Sequence, residues 1–129
     1  MRKDSYSNVA VVASLAPAVQ AATLKGTTVD TSGFGTALMV VNTGAIAGDG
    51  DYSIAMQESD TTTDGDFTDV AADDRIGAIP ATLEAGKVYR QSYIGRKRYL
   101  RAVITKAGGT SVAAGAVFVL GKPALAPVA

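Results

Sequence analysis

Carboxylates and bases are the residues of this chain best equipped for chemistry, because it contains neither histidine nor cysteine. That absence excludes a thiol nucleophile, a zinc site of the usual kind, a Ser-His-Asp triad and any disulfide framework. Asp60, Asp64, Asp66 and Asp69 are close enough along the chain to suggest a hard-cation site, since calcium takes clustered carboxylate oxygens. Their spacing lacks the alternating ligands, the glycine and the closing glutamate of an EF-hand loop, so the reading is a solvated hairpin tip. Arg96, Lys97 and Arg98 stand beside Tyr99, with Arg101 following, a composition that can hold phosphates or stack bases. The run is short, has no further interleaved aromatics, and on a strand its charges divide between two faces. A protein contact, or pairing with the acidic hairpin, is expected in place of nucleic acid. No acid is marked as lying in an apolar pocket beside a second carboxylate, no glycine loop fits a phosphate, and no serine sits in a nucleophile elbow. The expectation is a protein that is not an enzyme and needs no cofactor.

The elements that hold these residues are short strands. The chain has 129 residues and a formal charge of zero, from twelve bases and twelve acids, so no global field gathers nucleic acid or anionic lipid. With 47% hydrophobic, 19% charged and only 6% aromatic residues, it folds on small side chains and is too apolar for disorder. Arg2 and Lys3 before the apolar run Val9 to Leu15 outline a signal peptide, but Asp4, Ser14 and Pro17 interrupt it, and the reading keeps the segment in the domain. No apolar run reaches the roughly 18 residues of a spanning helix, and the expectation is a soluble protein without membrane contact.

Period-two runs closed by Gly, Asp, Asn, Thr or Pro recur along the chain. Asn8 to Ser14 and Val19 to Leu24 read as two strands or an extended arm, and Thr36 to Asn42 as a central strand buried on both faces. Gly44 to Gly50 reads as a turn. Tyr52, Ile54 and Met56 alternate with polar residues and lead into an exposed hairpin loop, Thr61 to Asp66. An irregular crossing ends near Gly86. Lys87 to Ile94, Arg96 to Lys106 and Ala113 to Leu120 read as three consecutive antiparallel strands. One antiparallel β-sandwich or barrel of jelly-roll or Greek-key type is expected over residues 1–129, with an N-terminal arm at 1–7 and an extended Pro/Ala-rich tail at 121–129. Nine of the twelve acids fall between Asp49 and Asp74 and seven of the twelve bases between Lys87 and Lys106, which predicts two patches of opposite sign.

A set of ordered phrases carries a resemblance. Ser14-Leu15-Ala16-Pro17, Gly26-Thr27-Thr28-Val29-Asp30, Tyr52-Ser53-Ile54-Ala55-Met56-Gln57-Glu58-Ser59-Asp60, Phe67-Thr68-Asp69-Val70, Tyr93-Ile94-Gly95-Arg96-Lys97-Arg98-Tyr99-Leu100-Arg101 and Gly121-Lys122-Pro123 run from about residue 8 to residue 127. Together they resemble small structural proteins encoded among the head genes of tailed bacteriophages, most of all capsid decoration, or cement, proteins. The resemblance implies a virion protein made in the host bacterial cytoplasm that sits on the shell of the major capsid protein, ties capsomers together and associates with copies of itself as a dimer or trimer. The N-terminal arm, Asp60 to Asp69 and Arg96 to Arg101 are expected to make its intersubunit contacts. A neck, connector or tail component is the second structural reading. A secreted carbohydrate-binding β-sandwich is the third, poorly supplied with aromatics because the chain has no Trp and five Tyr.

Overall fold

The computed structural model describes residues 1–127. Among the described residues ten strands form two antiparallel sheets. The first, sheet A, has the order β1 (Ala10–Gln20), β10 (Ser111–Pro123), β4 (Phe34–Ala47), β8 (Val88–Tyr93) and β7 (Arg75–Ile76). In sheet B, β2 (Leu24–Lys25) lies beside β9 (Tyr99–Gly108), then β5 (Asp51–Ser59) and β6 (Thr68–Asp69), while β3 (Val29–Asp30) also pairs with β9. The architecture is a β-sandwich, so the barrel alternative is set aside.

Alternation builds the core between the sheets. Met39 and Val41 of β4 and Phe118 of β10 project from sheet A toward Tyr52 and Met56 of β5 and Leu100 and Ile104 of β9. Leu83, from the otherwise irregular crossing after β7, is buried beneath one end of the sandwich, and its N–H donates to the Tyr52 carbonyl at 2.8 Å. The Tyr52 hydroxyl in turn donates to the Thr110 carbonyl at 2.9 Å, tying β5 to the turn before β10.

Several expectations change. The first N-terminal run and the start of the second, Val19 and Gln20, form a single strand, β1, which keeps pace with β10 through register shifts around Ser14 and Pro17, while the end of the second run, Leu24, belongs to β2 in the other sheet. A bulge absorbs the proline that a regular ladder would reject. The strand expected to be buried on both faces is buried on one, with Ala37, Met39 and Val41 inside and Leu38 and Val40 half-exposed, and it runs on through Gly44 to Ala47. Only Gly48, Asp49 and Gly50 turn, with Gly48 and Asp49 at positive φ. β8, β9 and β10 are not neighbours in one sheet; they lie in sheets A, B and A. The glycines at 95 and 108–109 therefore mark arches between sheets, which a period-two pattern does not distinguish from hairpins. Gly121, Lys122 and Pro123 extend β10 instead of forming a tail. β1 starts at Ala10 opposite Leu120, so this end of β10 has a neighbour only in β4, the edge situation in which proline is tolerated. Residues 124–127 of the expected tail form bends after the strand, and 128–129 lie outside the described residues.

Candidate interaction surface

β5 and β9 pair antiparallel, with Gln57 opposite Arg101 and Ser59 opposite Tyr99. That register sets the end of β5 and the loop after it beside the start of β9 and the connection before it. The two oppositely charged segments are thus adjacent within one chain, and the expected separate patches neutralise each other. Lys97 Nζ lies 2.6 Å from Asp60 Oδ2, an exposed pair that raises the lysine pKa through its hydrogen bond to the aspartate. Arg101 is buried: its Nε donates to Gln57 Oε1 at 2.9 Å, its Nη1 to Asp64 Oδ1 at 2.6 Å, and its guanidinium lies 4.1 Å from the Phe67 ring centroid. Asp64 also receives Lys25 Nζ at 3.0 Å, and hydrogen bonds from Arg101 first and Lys25 second hold its carboxyl below the usual range.

Asp66 accepts from the Thr61 hydroxyl at 2.6 Å and Asp69 from Gln57 Nε2 at 3.0 Å. Each acid expected at the hairpin tip is thereby committed to a different partner. Among the described residues no three acidic side chains converge in a way that would hold a metal ion. Arg98 reaches across β9 to Asp30, with Nε and Nη2 each 2.8 Å from a carboxylate oxygen, and lies over the Tyr99 ring. That two-pronged bond, chiefly, pulls the Asp30 pKa down to about 2. Arg96 is exposed and makes no ion pair among the described residues. Of the nine residues singled out, eight are therefore engaged inside the chain and Arg96 is directed outward. Residues 94–98 form an irregular connection, not the start of a strand, so the anticipated splitting of their charges between two faces does not arise.

The sequence reading missed several of these partners. Lys25, Asp30, Gln57 and Phe67 lie far along the chain from the bases they meet, and only the β2–β9, β3–β9 and β5–β9 pairings bring them near. Also unanticipated is Tyr93, whose hydroxyl donates to buried Glu58 at 2.8 Å and accepts the Lys97 N–H at 2.8 Å. Burial, first, and the neighbouring Glu58 raise the Tyr93 pKa above its ordinary value, keeping it a neutral donor.

Two surfaces remain unpartnered. One is the end of the sandwich where β1 begins, β10 and β8 finish and β4 and β9 start. The N-terminal arm reaches this end through a 3₁₀ turn at Tyr6–Asn8 beside β10, where the Ser7 N–H donates to Asp4 Oδ1 at 3.4 Å. The Ala124 N–H bonds to the Gly33 carbonyl at 2.8 Å, so both described chain ends and the 31–35, 60–66 and 94–98 connections gather here. Tyr6, Ile94 and Leu125 are exposed at this end, which also carries a groove of about 480 Å³ walled by Gly33, Thr36, Ser92, Ile94 and Arg96.

The other is the outer face of sheet A. Side chains in register across strands share a face, and the outward rows read Val11, Val119, Leu38, Ser92; then Ala13, Val117, Val40, Arg90; then Gly115, Asn42, Val88. Val19 and Ala113 continue the face. Between β1 and β4, the small residues Ala113 and Gly115 floor a trough of about 640 Å³ walled by Pro17, Val19, Val40 and Asn42. All four ion pairs among the described residues belong to sheet B and its loops. The sandwich thus has one charged and one apolar outer face. No helix among the described residues is long and apolar enough to cross a membrane. No protein-family model matches the chain, and no curated protein matches it significantly.

Proposed function

We propose that the chain is a virion structural protein, a capsid decoration or cement protein that binds the outer surface of a bacteriophage head shell and stabilises it without catalysis. The observation that carries this reading is the end of the sandwich at which both described chain ends and three connections meet. It exposes Tyr6, Ile94 and Leu125 and carries a groove lined in part by Ile94 and by Arg96, which makes no ion pair among the described residues, on a body braced by two hydrogen-bonded sheets. Apolar anchors with an arginine at their rim are the composition of a protein-binding patch. Arms that leave a rigid body can cross onto a neighbouring capsomer. The order of phrases resembling phage head proteins supplies the identity of the surface bound, the major capsid protein. The bases and acids of the hairpin serve, on this reading, to fix the loops that frame the end rather than to contact the shell.

The test is quantitative mass spectrometry of virions from the phage or prophage that encodes the chain, joined to cosedimentation of the purified protein with its emptied heads. Hundreds of copies per particle and saturable binding to heads are expected, and Tyr6→Ala with Arg96→Glu should weaken that binding at least about tenfold, the loss of one anchor and one charged contact. Six or twelve copies would assign the protein to the neck or tail instead, and absence from particles would refute a virion role.

A further inference from the structure

We infer that the apolar outer face of sheet A is a self-association surface on which a second copy of this chain packs, sheet against sheet, about a twofold axis. The first support is area. Four strands at about 4.8 Å spacing, followed for about ten residues at about 3.3 Å each, give on the order of 600 Å² per copy. Two such faces bury about 1,200 Å², the lower bound of a specific, stable interface. The chain also exposes 7464 Å², against roughly 6,400 Å² for a compact monomer of 13.1 kDa, so surface is available to be covered.

The second support is what the face lacks. Arg90, on β8 toward one side, is the one charged side chain in its outward rows, and the β1 side carries none. A heterologous protein partner is ordinarily selected by complementary charge; this face offers no such pattern, whereas it meets a copy of itself without like-charge repulsion. Shape agrees. A sheet's own twist is matched by a second sheet twisted to the same degree, stacked at about 10 Å with the strand directions about 30° apart. Each copy supplies both a trough floored by Ala113 and Gly115 and projecting valines at 19 and 88, 69% and 68% exposed.

The inference gives a surface to the self-association included in the virion reading, yet it stands on sheet geometry and is measured on the free protein. Its failure would leave the head-binding experiment undecided, and the converse also holds. The full chain is examined by sedimentation equilibrium and light scattering from about 1 to 100 µM, spanning the micromolar affinities that small interfaces reach. Wild type should reach twice the 13.1 kDa chain mass. The double variant Val19→Lys/Val88→Lys, at exposed positions, should raise the dissociation constant more than about a hundredfold. Val19→Thr/Val88→Thr keeps shape and strand propensity and should raise it by about tenfold or less. Thr105→Lys, exposed on the outer face of sheet B, should change nothing. Wild type at the single-chain mass at every concentration, a trimer, or a dimer indifferent to both valine pairs would overturn the inference. So would a monomer whose head binding is abolished by Val19→Lys/Val88→Lys, which would make the shell protein the occupant.

Discussion

Ser14→Ala offers the sharpest test of how the two sheets are joined. Ser14 is 3% exposed on β1, at the register shift where the strand turns toward sheet B. Its Oγ donates to the Thr27 carbonyl at 2.8 Å and accepts the Ala102 N–H at 2.9 Å. Its backbone carbonyl takes the Thr27 N–H, while the Gly26 N–H bonds to the Ala102 carbonyl at 2.7 Å. Gly26 is required here, because a Cβ would fall within 2.7 Å of both the Ala102 and the Ser14 carbonyl oxygens. One hydroxyl therefore bridges sheets A and B where the edge of β1 would otherwise stand open. Alanine leaves the Ala102 N–H buried without a partner, costing about 1–3 kcal/mol, and removes the Thr27 bond, worth about 1 kcal/mol more because that carbonyl can rehydrate. The expected loss is roughly 2–4 kcal/mol. At about 4 °C per kcal/mol for a domain of this size, the thermal midpoint should fall by roughly 8–16 °C. Calorimetry measures the shift, and hydrogen exchange should show the Ala102 amide losing its protection. A fall of less than about 3 °C with that amide still protected would refute the account, because the seam would then be held by something other than this hydroxyl.

Two further outcomes follow from the charged face. Arg101→Met should lower stability by about 1–3 kcal/mol in urea titration, because Arg101 is buried against Phe67 and bonded to Gln57, whereas Lys97→Ala at its exposed pair should leave the midpoint unchanged. Asp30 is held at about 2 in the folded chain against about 3.9 unfolded, a depressed value, so its contribution is complete above about pH 4 and is lost as pH falls toward 2. Asp30→Asn should flatten that part of the stability curve, and equal acid slopes for variant and wild type would contradict the assignment.

Much of the fold was legible because its strands obey period two. Tyr52, Ile54 and Met56 fall inside as their alternation with Ser53, Ala55 and Gln57 requires, and the Thr61 to Asp66 loop and irregular crossing lie where the turn residues put them. Partnership between strands was not legible. A Gly-Gly turn such as 108–109 is equally suited to a hairpin and to an arch between sheets, so β8, β9 and β10 read as one run when they alternate between two layers. The ion pairs shared that fate. Asp30 and Arg98 are 68 positions apart and meet only because β3 lies on β9. The apolar outer face was hidden differently: Leu38 and Val40 look like core residues in sequence, and hydrophobicity alone does not tell a strand covered on both sides from one whose second side faces outward.

That last confusion bears on function. A β-sandwich that works alone in water ordinarily alternates apolar-in with polar-out on both of its sheets. Sheet B does so, with Lys25, Gln57 and Arg101 directed away from a core of Met56, Leu100 and Ile104. Sheet A breaks the pattern on three successive strands, where Val11, Val117 and Val40 occupy positions that solvation alone would give to Thr, Lys or Glu. Strand propensity favours valine, but threonine serves a strand nearly as well, so propensity does not account for the choice. The flanking positions show that polar residues are accommodated on this sheet, since Thr36, Asn42, Arg90 and Ser92 border the valines. The apolar rows run out to the β1 edge at Val11 and Val19 and are bordered by polar residues only on the β8 side and at Thr36 and Asn42. The same chain places its ion pairs where they lock the loops of sheet B and its valines on the outward face of sheet A, the division that the proposed self-association would use.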